Sequence, residues 1–124
     1  MGTGTGGTGG PQVCDGAALM VSKCGQPGCH GSTAPAASLD LASAGVISRL
    51  LGQSSNASAN PVCSTNTKAL LVTGSTPADG FLLDKLSPSP PCGTTMPQVP
   101  GPLDATSLEC MQEWATAVTT GQIH

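Results

Sequence analysis

The 124-residue sequence contains no tyrosine, one tryptophan (Trp114) and one phenylalanine (Phe81). A small domain buries a low fraction of its surface, so a chain this short of bulky apolar groups calls for a staple, a metal or an embedded cofactor to complete its interior. Basic residues are scarce as well: four Lys and Arg stand against seven Asp and Glu, for a net charge of −3. A nucleic-acid binder needs clustered Lys and Arg, so that class of partner is excluded. No window approaches the ~20 apolar residues of a transmembrane span, and the N-terminus has neither the basic nor the apolar region of an export signal. The acidic residues are dispersed, and solubility is their expected role.

Against these absences stand 17 Gly, 11 Pro and six Cys. Residues 1–12, MGTGTGGTGGPQ, are too rich in Gly and Thr to join a core and read as a flexible tether, a lipid-linked one included. The folding unit is expected over 13–121, with 122–124 as a short tail. Six cysteines in so short a chain are typical of oxidising compartments, which implies export to a periplasmic, extracellular or outer-surface location.

The pattern predicts a mostly α chain of three to five short helices joined by long loops. Residues 14–24 suit a helix, with Asp15 near its start, Lys23 near its end and Ala18, Leu19 and Val21 among its apolar residues. Gln26-Pro27-Gly28 reads as a tight turn. A second helix is expected over 41–51, where Val46, Ile47, Leu50 and Leu51 recur at helical spacing and Gly52 supplies a stop. Residues 52–67 are polar and turn-forming. Ser75-Thr76-Pro77 suggests an N-cap with Pro in the first turn of a helix over 77–86. Residues 87–103 are dense in proline and should be extended. Asp104 can cap a last helix that carries Leu108, Met111, Ala115 and Val118 on one face beside Trp114, with Gly121 ending it. Loops this long are uncommon in a compact domain unless they are functional, and a cofactor within them would account for their length.

The most specific motif is Cys24-Gly-Gln-Pro-Gly-Cys29-His30. Covalent haem attachment requires two thiols that reach the vinyl groups on one edge of the porphyrin, and a histidine directly after the second thiol to approach the iron. The usual spacing is Cys-x-x-Cys-His. Here four residues intervene, and the Pro27-Gly28 turn allows the extra pair to bulge outward. Downstream, Cys92-Gly-Thr-Thr-Met96-Pro97 places a thioether on a stiff proline-flanked loop, which suits a sixth iron ligand, since His/Met ligation favours electron transfer. The remaining four cysteines, Cys14, Cys63, Cys92 and Cys110, divide evenly into two disulfides, for which counting leaves three connectivities open.

CGQPGCHG, SLDLASAGVISRLLG, LLVTGSTPADGFLLDKL, CGTTMP and a C-terminal helix with a Trp resemble small exported class I cytochrome c domains, including bacterial variants with a widened haem motif. The resemblance spans about residues 13 to 119 and departs from the usual pattern at the Cys24–Cys29 spacing. It implies a cytochrome c-like fold wrapped around one haem c, with the first and last helices crossing, His30 as proximal ligand and Met96 as distal ligand. Those crossing helices imply Cys14 bonded to Cys110, leaving Cys63 with Cys92. The expected function is one-electron transfer, not enzymatic catalysis, between redox partner proteins. The haem would lie against Leu41, Val46, Leu50, Phe81, Leu82 and Leu86.

Other readings of the same residues carry less. A third disulfide, Cys24–Cys29, would make a haem-free, stapled extracellular binding module. Zinc bound through Cys24, Cys29 and His30 lacks a conventional second ligand pair. A hydrolase lacks a nucleophile beside either His30 or His124. Arg49 and Lys68 read as solvated charges rather than propionate partners. Asn56-Ala57-Ser58 matches a glycosylation acceptor by chance.

Overall fold

The computed structural model describes residues 14–25, 29–33, 39–54, 63, 67–97 and 101–123. The 1–12 tract, the Gln26-Pro27-Gly28 turn, Asn56-Ala57-Ser58 and His124 lie outside the described residues. Among the described residues four helices follow in order: α1 (Gly16–Lys23), α2 (Val46–Leu50), α3 (Phe81–Leu86) and α4 (Ala105–Thr119). Instead of a sheet, the described residues hold two isolated bridges, Leu51 with Leu71 in parallel and Ser54 with Ala69 antiparallel. The chain is mostly helical, as expected, and the apolar run after residue 68 is extended where it meets the end of α2.

Helix α1 begins where Asp15 accepts the Ala18 N–H at 3.0 Å, and it carries Lys23 in its last turn, where a cation complements the helix dipole. Its inward stripe differs from the apolar residues singled out in the sequence. Gly16, Met20 and Cys24, four residues apart, are buried, whereas Ala18 and Val21 are exposed. The partner helix decides this. A Cβ on Gly16 would stand 2.5 Å from Cγ of Trp114, so α1 lies directly on the indole, and only glycine permits that approach. The Cys14–Cys110 disulfide fastens the same crossing.

Helix α4 forms as its sequence predicts. Asp104 accepts the Ser107 N–H at 2.8 Å, and Met111, Trp114, Ala115 and Val118 are buried. Beyond Gly121, the Gln122 and Ile123 N–H groups return to the Ala117 carbonyl, and Ile123 packs against the core. The 72–79 turn docks on the C-terminal half of α4. There Thr119, the one buried polar residue among the described residues, donates to the Ser75 carbonyl at 2.6 Å, and Gln112 donates to the Ala78 carbonyl at 3.1 Å.

The two middle helices are shorter than expected. Residues 41–45 do not join α2, because Gly45 takes φ +82° and the Asp40 carboxylate accepts the Ala42 and Ser43 N–H groups, forming a turn where a helix would need free propagation. Residues 77–80 do not join α3. The Thr76–Pro77 peptide is cis, and Ser75 is not a helix cap: its hydroxyl accepts from Asp79 N–H and donates to Val72 within a local turn. One apolar cluster, containing Met20, Leu41, Leu50, Leu71, Leu82 and Trp114 among others, joins all four helices. A smaller cluster of Cys63 and Phe81, with Cys92 against it, lies apart.

Candidate cofactor site

Cys24 sits at the end of the buried stripe of α1, its N–H bonded to the Met20 carbonyl at 2.7 Å. Its own carbonyl accepts the His30 N–H at 3.0 Å. The backbone therefore closes on itself across the widened motif, bringing its first thiol residue and its histidine into hydrogen-bond contact despite the extra spacing. Cys24 and Cys29 are both unbonded, one buried and one exposed. The other four cysteines form Cys14–Cys110 and Cys63–Cys92, the connectivity implied by crossing terminal helices. Burial, with a smaller contribution from neighbouring Cys29, pushes the Cys24 thiol up to about 11, so near neutral pH its sulfur carries a proton.

The His30 ring is half-buried, with Nδ1 lying 2.9 Å from the Leu39 carbonyl oxygen. A carbonyl can only accept, so Nδ1 bears the hydrogen; in the neutral ring this is the tautomer whose Nε2 carries the lone pair, the arrangement in which an imidazole is oriented for metal ligation. The backbone closes the same strap from the other side: Leu41 N–H donates to the His30 carbonyl at 2.8 Å, and Leu41 belongs to the main cluster. Asp40, between these two residues, is held well below the usual carboxylate range, at about 2, by hydrogen bonds from Ser43 and then Ala42, with Arg49 adding a smaller attraction. Arg49 spans the turn, donating to the carbonyls of Asp40, Ser43 and Ala44.

Met96 lies half-buried on a different loop, held by a separate set of contacts. Its N–H donates to the Lys85 carbonyl at 2.7 Å, and Thr95 closes the base of the loop by donating to the Ser87 carbonyl at 2.9 Å. Leu86, next to Lys85, belongs to the same cluster as Leu41, so the His30 strap and the Met96 loop are anchored to one apolar core. Of the residues expected to line a cofactor, Leu41, Val46, Leu50, Leu82 and Leu86 are in that core, whereas Phe81 is buried with Cys63 and Cys92 in the smaller cluster. Lys68 is engaged by Asp79 at 3.1 Å and Asp84 at 2.8 Å, rather than simply solvated.

Three contributors escaped the sequence reading. The Leu39 carbonyl is a backbone atom with no sequence signature. Lys85 looks like any lysine at the end of a helix. Asp40 had one legible signal, its place before Leu-Ala-Ser in a turn-prone stretch. Among the described residues, no group of three or more His, Cys, Asp and Glu side chains could hold a metal ion, and no helix is long and apolar enough to cross a membrane. Comparison with known protein families, with curated proteins and with solved structures finds no match.

Proposed function

We propose that the chain is a monohaem c-type cytochrome, a one-electron carrier between donor and acceptor proteins in an extracytoplasmic pathway. Cys24 and Cys29 would attach the haem, and His30 and Met96 would be its axial ligands. The observation that carries the reading is the His30 ring: Nδ1 is committed to the Leu39 carbonyl, which leaves Nε2 for a metal. Two further features support it. The only unbonded cysteines are the two of the motif. The α1–α4 crossing, with the intervening loops anchored to one core, suits a cytochrome c-like fold. The stapled, haem-free module remains the second reading, resting on the Cys14–Cys110 and Cys63–Cys92 disulfides.

Bound haem supplies an iron that cycles between ferric and ferrous states, so an electron is taken and passed on without bond-making. The chain's own residues do the rest. The Leu39 carbonyl fixes the imidazole, Leu41 fixes the backbone of His30, and the Met96 loop would present a thioether. Leu41, Val46, Leu50, Leu82 and Leu86 would exclude water from that side, which disfavours the extra positive charge of the ferric state and so tends to raise the potential. Both disulfides fit an oxidising compartment.

The test is an absorption spectrum of protein produced with haem-maturation machinery. A sharp reduced α band whose pigment resists acid-acetone extraction is expected. Met96→Ala should keep the pigment attached and lose thioether ligation. A colourless wild-type product would sink the reading.

A further inference from the structure

The Met96 loop is fastened to α3 through one residue used twice. Chain leaving α3 returns to it, so that the Lys85 carbonyl accepts the Met96 N–H at 2.7 Å, while Lys85 Nζ donates to the Cys92 carbonyl at 3.0 Å. Cys92 is itself tied to Cys63. Gly93, the next residue, has φ +67°, and a Cβ there would stand 2.7 Å from Lys85 Nζ, so the ammonium occupies space that any other residue at 93 would claim. Lys68, by contrast, takes two carboxylates at the surface. Lys85 instead spends its charge on a backbone carbonyl in a half-buried position, and burial pulls it below the usual lysine range. A lysine gains little from such a place unless the hydrogen bond fixes the loop.

We propose that Lys85 is the positioning residue for the Met96 ligand: its ammonium fixes the Cys92–Gly93 turn while its carbonyl fixes Met96 itself. This rests on the haem reading for its purpose, but not for its geometry. The two grips are coupled through Cys92, because the ammonium has a defined partner only while the Cys63–Cys92 bond holds that carbonyl in place.

The experiment compares wild type, Lys85→Met and Lys85→Arg in the full chain carried through haem maturation, using amide hydrogen exchange and the Met-to-iron charge-transfer band. Methionine keeps the apolar stem and removes the N–H donors. Exchange at the Met96 amide should then quicken roughly tenfold, the effect of losing one hydrogen bond to a charged group, with α1 and α4 amides unchanged. The charge-transfer band should weaken while the haem remains attached. Arginine, which keeps a donor, should restore both. In a Cys63→Ser/Cys92→Ser background, Lys85→Met should add little, giving a non-additive cycle. Faster exchange spread evenly over all helices would reduce Lys85 to a general stabiliser and overturn the proposal. So would an unprotected Met96 amide in wild type, or an arginine variant behaving like methionine. If no haem attaches, the functional reading falls on the spectrum, while exchange at Met96 still decides whether Lys85 holds the loop.

Discussion

The α1–α4 crossing and the Met96 loop are each closed by one disulfide, yet they are held in different ways. At the crossing, Cys14–Cys110 joins helices that already interlock, with Gly16 set on Trp114 and Met20, Met111 and Val118 almost fully buried around them. At the loop, among the described residues, Cys63–Cys92 clusters with Phe81 apart from the main core, and hydrogen bonds of Lys85 and Thr95 add to the hold. Apolar packing is shared among many contacts and tolerates the loss of one. A loop held by a few polar fastenings loses a large share of its order with each, and such segments open at lower free energy than the core. The crossing is therefore the scaffold, and the loop is the adjustable part of the proposed site.

The largest expected effects come from removing the disulfides. On loop-closure entropy alone, the Cys14–Cys110 link, with a sequence separation of 96, contributes about 4.7 kcal/mol, and Cys63–Cys92, with a separation of 29, about 3.6 kcal/mol. Urea unfolding of the paired Cys→Ala variants should show the first losing more global stability. The second should differ in kind: exchange at the Met96 amide should rise above that set by global unfolding. If both variants lose protection evenly along the chain, the two regions are a single cooperative unit and the contrast breaks.

A smaller effect is expected at Gly16. The added methyl of Gly16→Ala would meet Trp114 Cγ at 2.5 Å, and since both helices are pinned by Cys14–Cys110 they cannot simply slide apart. Overpacking of this kind costs about 1–3 kcal/mol. Thermal unfolding should register that loss while the Met96 loop keeps its protection. An unchanged melting temperature would mean that the crossing is looser than the glycine contact indicates.

What the sequence disclosed follows from which interactions are local. Helix α4 was legible because its cap, Asp104, and its apolar face, Met111 to Val118, are read within one segment. The inward stripe of α1 was not, because Gly16 carries no apolar signal and lies against Trp114, far along the chain. Helix α2 was overextended because helical spacing at 46–51 says nothing of an Asp40 carboxylate that claims the N–H groups of Ala42 and Ser43. At the site, residue types were readable: thiols, imidazole and thioether advertise their chemistry. Their positioning groups were not, since the Leu39 and Lys85 carbonyls belong to the backbone and acquire a role only through folding.

The smallest expected effect extends the comparison to the His30 side of the site, where one acidic residue shapes the strap. Asp40 stands between Leu39, whose carbonyl holds the ring, and Leu41, whose N–H holds the backbone of His30. Its folded pKa is about 2 against an ordinary 3.8, so the folded state binds that proton less readily than the unfolded state does. By linkage, the associated stability is present in full above about pH 4 and is lost as the pH falls from there toward about 2. Asp40→Asn keeps an oxygen acceptor for Ala42 and Ser43 but removes the titration. The variant should therefore show a shallower fall in stability through that window, and the Leu41 amide should lose less of its protection on acidification. Some slope will persist, because hydrogen bonds from Ser107 lower the Asp104 pKa in the same direction. An acid slope identical in wild type and variant would show that the turn does not depend on the carboxylate's charge, leaving Arg49, with its three backbone carbonyls, as the group that holds the strap.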